Sequence, residues 1–228
     1  MRACIFADIH GNGPAFDVAY GMILAESADV NIFLGDLCGY YYDQVQIFEK
    51  LMCMPNLISI MGNHDAIFLD VAKGNERLRH EYLNKYGLSI EALLNSDAKR
   101  MKEWLFSLPS FIDNGLGKIS CYHGSPQNFL EDYVYPDSPL EMFLKHQSST
   151  FLLGHTHYPM ARRIKDKLVV NPGSLGQPRN DRWPTYAVVD CVSETATFRQ
   201  VFYDKEELIA RIDQMGDVNP YLKRVLIR

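Results

Sequence analysis

The sequence predicts an α/β fold in which two β-sheets pack as a two-layer β-sandwich flanked by helices. Short apolar runs alternate with helical patterns up to about residue 61, a purely helical stretch follows, and strand patterns dominate from residue 110. Alternating β-α units favour parallel strands, whereas the later hairpins favour a second sheet packed on the first. We expect one domain over 1–228, with a helical insertion after the third strand at about 66–108 and a C-terminal helix and tail at about 204–228.

The first three strands are expected at 3–7, 30–34 and 57–61, because each run is short, apolar and followed by polar residues. A helix beginning near Pro14 and ending near Ser27 connects the first two strands, since proline suits a first helical turn. A second helix begins near Asp43, a residue type that caps helix N-termini.

Apolar residues at helical spacings, interrupted by glycines, predict three or four helices between 66 and 108, some beside the sheet and some over the site. A helix is also expected near Asp137 and another over 204–215, and turns are expected at Asn114-Gly115 and Lys165-Asp166. The later strands are expected at 110–113, 117–122, 150–153, 160–164, 167–170, 185–191 and 195–203.

Composition excludes several broad classes. The net charge of -5 argues against non-specific nucleic-acid binding, which depends on neutralising phosphates with Lys and Arg. No apolar run approaches the ~18 residues of a membrane span, and the chain starts directly in a predicted strand, without room for a signal peptide. Five cysteines, an odd number without a pattern, indicate a reducing compartment, so we expect a cytoplasmic protein.

Five strand-like runs end in residue types that bind metal ions. In an open α/β sheet, ligand sites lie just beyond the carboxyl ends of the strands. A lone Asp or His is more often a cap or a surface group, but five of the seven histidines lie at these strand ends. The pattern predicts a two-metal centre with Asp36 as the shared carboxylate. The residues at the strand ends are Asp8, His10, Asp36, Asn63, His64, Asp65, His123, His155 and His157.

The ordered motifs Asp-x-His-Gly-Asn, Gly-Asp, Gly-Asn-His-Asp, His-Gly-Ser and Gly-His-Thr-His resemble those of the calcineurin-like metallophosphoesterases, over about residues 2–203. The small prokaryotic-type phosphodiesterases and phosphatases are most similar, because their Asn-Pro-Gly-Ser-x-Gly-Gln-Pro-Arg loop occurs here at 171–179. The resemblance implies their metallophosphoesterase fold (layers α-β-β-α) and a metal-dependent phosphoric ester hydrolase.

The resemblance also implies two metal sites that share Asp36. The first would be held by Asp8, His10, Asp36 and His157, and the second by Asp36, Asn63, His123 and His155. Mixed oxygen and nitrogen donors fit Mn, Fe, Zn or Ni and do not decide among them. A hydroxide between two such ions would attack phosphorus, and His64, the family's non-ligand histidine, would assist the leaving group.

The sequence departs from one branch of this family. Protein Ser/Thr phosphatases orient the equivalent histidine with an Asp three residues after the shared carboxylate, and that position is Gly39 here. The difference argues against a protein phosphatase and leaves the partner of His64 open, with Asp65 and Asp43 as candidates.

Asn12 and Arg179 are the candidate substrate-binding residues, although Arg179 could instead pair with Asp181 on its loop. Tyr40–Tyr42 could line the cleft and stack a base or aryl group, or could simply pack in the core. We expect a small phosphodiester or phosphomonoester substrate, which could contain a nucleotide, with no membrane and no stable nucleic-acid complex. The alternatives are a nuclease and a non-catalytic scaffold of the same fold.

Overall fold

The computed structural model describes residues 1–179 and 182–227, and within them it confirms two five-stranded sheets flanked by helices. The strand order is β10-β9-β1-β2-β3 in the first sheet and β4-β5-β6-β8-β7 in the second. The strands are β1 (Arg2–Phe6), β2 (Val30–Phe33), β3 (Leu57–Ser59), β4 (Phe111–Gly115), β5 (Ile119–Tyr122), β6 (Thr150–Leu153), β7 (Met160–Ile164), β8 (Lys167–Asn171), β9 (Thr185–Asp190) and β10 (Thr195–Gln200).

Helices cover the sheets and form the segment between β3 and β4. None of the helices in the described residues is both long and apolar enough to cross a membrane. The α-helices are α1 (Gly13–Ala25), α2 (Gln44–Met52), α3 (Asn63–Ala72), α4 (Glu76–Tyr86), α5 (Ser89–Leu94), α6 (Lys99–Ser107), α7 (Lys205–Gln214) and α8 (Pro220–Leu226).

Strand β1 shows why the first sheet lies at the centre of the molecule. Ala3 and Ile5 point into the core between the two sheets, whereas Cys4 and Phe6 belong to the core beneath the helices. Successive side chains of a strand face opposite sides, so a strand that is covered on both faces reads as a continuous apolar run. Strands β1, β2 and β3 are parallel, as the β-α-β order predicted, and their carboxyl ends meet at one rim.

The helical segment contains α3, α4, α5 and α6, which confirms the expectation of three or four helices. Helix α3 begins at Asn63, earlier than expected, so His64 and Asp65 lie in its first turn. The tail expected after the helix over 204–215 contains a further helix, α8. It packs against the tyrosines that follow β2, and the hydroxyl of Tyr41 donates to the carbonyl of Leu222 at 3.2 Å.

Other local expectations were wrong. The helix expected near Asp137 is only a short 3-10 helix, Glu141–Lys145. The turn expected at Asn114-Gly115 lies at 116–118, because Gly115 still pairs with Ile119 after an irregularity in the ladder. Strand β3 ends two residues before its expected end, and strand β10 ends three residues before its expected end.

Strand β9 pairs antiparallel with β1, which joins both halves of the chain in one sheet. We therefore propose that residues 1–228 form one domain.

The carboxylate of Asp65 joins the rim of the first sheet to helix α3. It is fully buried and accepts hydrogen bonds from the backbone N–H groups of Gly62, Asp36 and Cys38, at 3.1, 2.9 and 2.9 Å. One side chain therefore fixes the start of α3 relative to the loop after β2.

We expect Asp65→Ala to lower the free energy of unfolding by about 3 kcal/mol or more, because three buried donors lose their acceptor. Asp70→Ala, on the exposed side of the same helix, should change it by less than about 0.5 kcal/mol. Urea unfolding in the presence of a chelator measures both. Equal losses for the two variants would show that Asp65 does not hold the rim together.

Candidate metal centre

The polar residues after the strands adopt an uncommon backbone conformation. A positive φ is rare for residues other than glycine, although Asp and His tolerate it better than most, and each instance costs about 1 kcal/mol or more. Such strain persists only where the surroundings enforce it, and it concentrates at functional sites. The residues concerned are Asp8 (φ 53°), His10 (51°), Asp36 (63°), His155 (67°) and His157 (62°).

Backbone hydrogen bonds between neighbouring loops enforce this conformation. The N–H of Asp8 donates to the carbonyl of Gly35, and the N–H of His10 donates to that of Asp36, both at 3.0 Å. Glycine is required where the loops meet, because a Cβ at Gly62 would lie 2.1 Å from Oδ1 of Asp36. The Gly-Asn-His-Asp motif thus allows the third loop to approach the second.

Two groups of buried side chains meet at this rim within the described residues. One consists of Asp8, His10 and His157, the other of Asp36, His123 and His155, and in each group the potential ligand atoms lie within 4.8 Å of one another. The groups adjoin, since Nε2 of His123 lies 3.8 Å from Oδ1 of Asp8.

Hydrogen bonds fix the tautomer of three of these histidines. Nδ1 of His10, His123 and His157 donates to the backbone carbonyls of Cys38, Leu34 and Gln177, at 2.8, 2.8 and 2.7 Å. A carbonyl can only accept, so the proton is on Nδ1 and, in the neutral ring, the lone pair of Nε2 points into the centre. Metal-binding histidines are commonly oriented in this way.

The groups that face the centre are therefore mostly acceptors. Nε2 of His10 and Nε2 of His157 are 3.1 Å apart, and neither neutral ring has a proton to share. Oδ1 of Asp8 and Oδ2 of Asp36 are buried and find no suitably placed donor among the described residues. Unpaired buried acceptors are costly, and a cation between them removes that cost. The donor set thus fits divalent metal ions.

Burial sets the protonation of the histidines. It lowers the pKa of His10 to about 4 and that of His155 to about 3, and it holds the pKa of His157 well below its usual value. Burial also acts against protonated His123, but the attraction of Asp36 and Asp8 outweighs it and raises the pKa of His123 to about 9. Metal ions bind the neutral form of imidazole, and the lowered pKa values of His10, His155 and His157 favour that form at neutral pH.

The two carboxylates shift in opposite directions. Burial raises the pKa of Asp8 to about 8, with a further increase from Asp36 and an opposing effect of His123. Burial also acts to raise the pKa of Asp36, but His123 and His64 outweigh it and hold this pKa well below the usual range. Asp36 is therefore ionised at neutral pH.

Asp36 lies between the two groups. Its Oδ1 accepts from the N–H of His64 at 2.8 Å, and its Oδ2 lies 3.8 Å from Nε2 of His10 and 3.3 Å from Nε2 of His123. This is the position that a shared ligand requires. Oδ1 of Asn63 lies 3.0 Å from both Nε2 of His123 and Nδ1 of His155, so all seven predicted metal ligands meet at one place.

His64 lies beside this centre, with its ring 4.9 Å from that of His10. The candidate partners for His64 were wrong. Asp65 accepts from three backbone N–H groups and from the thiol of Cys38, and Asp43 lies 3.4 Å from Arg211. Instead, Nδ1 of His64 is 2.7 Å from the hydroxyl of Tyr82, on α4.

Gly39 explains this change of partner. A Cβ at that position would lie 2.8 Å from Nδ1 of His64 and 2.9 Å from the hydroxyl of Tyr82. The φ of +108° at Gly39 also disfavours any side chain. Tyr82 thus occupies the space from which a residue at position 39 would reach His64. Tyr82 and Tyr86 are four residues apart on one helix face, a spacing that could have signalled their joint role.

The fold agrees with the comparisons to known proteins. The family model for the calcineurin-like phosphoesterase superfamily domain matches residues 1–194. The chain belongs to this superfamily.

Individual relatives match along the whole length of the chain. An uncharacterized protein of Methanocaldococcus jannaschii is 26% identical over 232 residues, which cover 91% of this chain and 90% of that protein. The crystal structure of a metallophosphoesterase from Sphaerobacter thermophilus has a TM-score of 0.84 at 22% identity and covers 100% of this chain and 99% of its own. A hypothetical protein from Pyrococcus horikoshii has a TM-score of 0.80 at 23% identity, with coverage of 99% and 97%. At these identities the structures show a common fold.

The two candidate substrate-binding residues lie in different surroundings. Asn12 is fully buried, its Oδ1 accepts from the N–H of Ala15, and its Nδ2 donates to the carbonyl of Gly176 and the hydroxyl of Tyr203. It caps α1, and no polar atom is left for a substrate. Arg179 lines a cavity over the centre, whereas Asp181, its alternative partner, lies outside the described residues.

This cavity has a volume of about 560 Å³ and is lined by Tyr40, Lys85, Tyr86, Tyr133, Tyr158, Arg179 and Tyr221. Of the Tyr40–Tyr42 run, only Tyr40 reaches it. Tyr41 and Tyr42 pack below, where their hydroxyls donate to Leu222 and to Asp217. Helices α4 and α8 supply three of the lining residues, so the helical insertion does cover the site in part. Sequence reasoning missed all lining residues except Tyr40 and Arg179.

We propose that these seven residues hold two metal ions, and we expect about two equivalents of Mn²⁺ per chain. His157→Ala should retain about one, because it removes a ligand of the first group only, whereas Asp36→Asn should reduce the content of both. Elemental analysis after loading and gel filtration measures the content. His80→Ala, which changes an exposed histidine on α4, should leave it unchanged, and full metal content in Asp36→Asn would contradict the shared role.

Proposed function

We propose that the protein is a two-metal phosphoesterase that hydrolyses a small phosphodiester or phosphomonoester. The observation that carries the proposal is the meeting of two buried acceptor groups at the rim of a phosphoesterase fold. Family membership supports a phosphoric ester hydrolase, and the acceptor groups support metal dependence. Manganese is the metal to test first, although iron, zinc and nickel suit the same donors.

The reaction joins the oxygen of water to phosphorus and breaks the bond from phosphorus to the leaving oxygen. The bonding electron pair stays on the leaving oxygen, which then takes a proton. When bound, two divalent ions supply Lewis acidity and lower the pKa of water. The chain's own residues have to hold the phosphate and protonate or stabilise the leaving oxygen.

His64 is the residue that we assign to the leaving oxygen. Burial lowers its pKa to about 3, with further lowering by His10 and His123 against the opposing effect of Asp36, so the ring is neutral at pH 7. If the hydroxyl of Tyr82 donates to Nδ1, the ring proton is on Nε2, which has no partner among the described residues. Nε2–H can then donate to the leaving oxygen or to the phosphoryl group.

Arg179 is the residue that we assign to the substrate phosphate. Its guanidinium interacts electrostatically with Asp8 of the centre and with Tyr40 of the cavity wall. Its Nε is buried without a hydrogen-bond partner among the described residues. A planar fork of N–H donors at this place suits a phosphate held at the centre.

The alternatives have less support. A long nucleic acid would have to pass the α4 and α8 side chains over the centre, against a net charge of -5. A non-catalytic scaffold would not require seven convergent ligands together with His64. We further infer a reducing compartment such as the cytoplasm, supported by the odd number of cysteines, all of which are free.

His64→Ala should lower kcat by roughly 10²–10⁴-fold on an alkyl phosphodiester, the usual effect of a positioned proton donor, while the metal content is unchanged. A nitrophenyl ester is the internal control, because nitrophenolate leaves readily without a proton and the loss should be smaller. Steady-state kinetics and elemental analysis on one preparation measure both. Unchanged kcat on the alkyl ester would exclude the assigned role.

Tyr82→Phe tests the positioning of His64. Loss of one hydrogen bond should lower kcat on the alkyl ester by about 3- to 10-fold with little change in KM. It should also shift the ¹⁵N signals of His64 towards a mixture of tautomers, which a purely structural effect would not do. Tyr186→Phe, which removes a buried hydroxyl far from the centre, is the matched control. Unaltered His64 signals in Tyr82→Phe would contradict the assignment.

A further inference from the structure

One wall of the cavity consists of Tyr40, Tyr86 and Tyr221, which come from three distant parts of the chain. The ring of Tyr40 lies 5.2 Å from that of Tyr86 and 6.1 Å from that of Tyr221. The same ring lies 4.7 Å from that of His10. This wall therefore continues directly from the first acceptor group.

A second wall is formed by Tyr133 and Tyr158 and continues from the other acceptor group. The ring of Tyr133 lies 4.2 Å from that of His155, and half of the residue's surface is exposed. Tyr135 supports both rings, at 5.8 Å from each, but does not line the cavity. The cavity thus begins at both groups and has aromatic walls on two sides.

The charged side chains that line the cavity in the described part of the chain are both cationic. Arg179 lies near the centre, where it interacts electrostatically with Asp8, His10 and His155. Lys85 lies on α4 with Nζ 4.8 Å over the ring of Tyr86, and it has no ion-pair partner among the described residues. Among residues 1–179 and 182–227, no carboxylate lines the cavity, although acidic residues outnumber basic ones, 28 to 23.

A ligand suited to this cavity has aromatic rings and more than one negative charge. The volume of about 560 Å³ lies within the range of small-molecule sites. Aromatic side chains stack on the π-face of any nucleobase, and cations recognise phosphate. With the reacting phosphate at the centre beside Arg179, Lys85 is left for a second anionic group.

We propose that the cavity is a nucleotide subsite: a base lies between the tyrosine walls, and a second phosphate lies at Lys85. The inference rests on the proposed function, because it takes the reacting phosphate to lie at the acceptor groups. It narrows the substrate to a phosphodiester in which one alcohol is a phosphorylated nucleoside. Hydrolysis of the bond from phosphorus to the second alcohol consumes one water and yields a nucleoside bisphosphate and that alcohol, whose oxygen takes up a proton.

Calorimetric titration of Mn²⁺-loaded protein tests the subsite, with inorganic phosphate measured alongside to show that the probes, which are phosphomonoesters, are not consumed. The probes are adenosine 3′,5′-bisphosphate, AMP and ribose 5-phosphate. AMP should bind at least about 5-fold more tightly than ribose 5-phosphate, the lower end of what stacking on one base provides. The bisphosphate should bind more tightly again, because only it can occupy the centre and Lys85 together.

Two variants separate the two recognition elements. Tyr133→Leu should weaken AMP binding by about 5-fold or more and leave ribose 5-phosphate binding unchanged, whereas Tyr135→Leu, which alters the supporting ring, should have a smaller effect. Lys85→Gln should abolish the preference for the bisphosphate over AMP, and Lys73→Gln, an exposed lysine outside the cavity, should not. The Mn²⁺ content of each variant is measured first, because Tyr133 contacts His155.

The outcomes separate this inference from the proposed function. Equal affinity for AMP and ribose 5-phosphate, together with hydrolysis of a base-free diester such as glycerophosphoglycerol, would overturn the subsite and leave the phosphoesterase standing. The expected order of binding without hydrolysis of any ester would support the subsite and overturn the proposed function. A phosphotyrosine peptide that binds more tightly than the bisphosphate would overturn the nucleotide assignment.

Discussion

The structure depends on a cluster of buried acceptors for which the described residues supply too few hydrogen-bond donors. Asp8, Asp36 and the inward-facing nitrogens of His10 and His157 converge at the rim of the first sheet. Three features around them maintain this arrangement. Backbone carbonyls orient the imidazole rings, hydrogen bonds between the loops enforce positive φ angles, and Asp65 fixes the start of helix α3. The fold thus holds together buried acceptors whose mutual proximity is unfavourable unless a positive charge lies between them.

The candidate ligands could be placed from sequence because each follows the end of its strand within four residues. An apolar run specifies a buried strand, parallel order brings the strand ends to one rim, and the next polar residue must then lie there. This reasoning places Asp36 beyond the strand that contains Ile32 and Phe33. It likewise places His123 beyond the strand that runs from Ile119 to Tyr122. The grouping of the ligands followed from family resemblance, since spacing alone does not state which strand ends are neighbours.

The surroundings of the centre could not be predicted, because they depend on contacts between distant elements. Tyr82 reaches His64 only because α4 packs across the rim, and Tyr221 reaches Tyr40 only because α8 returns to it. Asn12 shows the converse: local pattern assigned a polar residue next to a predicted ligand to substrate, whereas the fold uses its side chain to cap the start of α1. Local pattern identifies what lies at the rim, and packing decides what each side chain meets there.

The pairing of β1 with β9 also determines when the centre can form during synthesis. Arg2 is the partner of Asp190, so the first strand leaves the ribosome long before its neighbour on that edge has been translated. Contacts so distant in sequence form late, since loop closure must precede them. Asp8 and His10 likewise meet His157 only after most of the chain has been made. The proposed binding of metal by these residues therefore requires the finished polypeptide, and until β9 has been made, that edge of β1 is open to pairing with other chains.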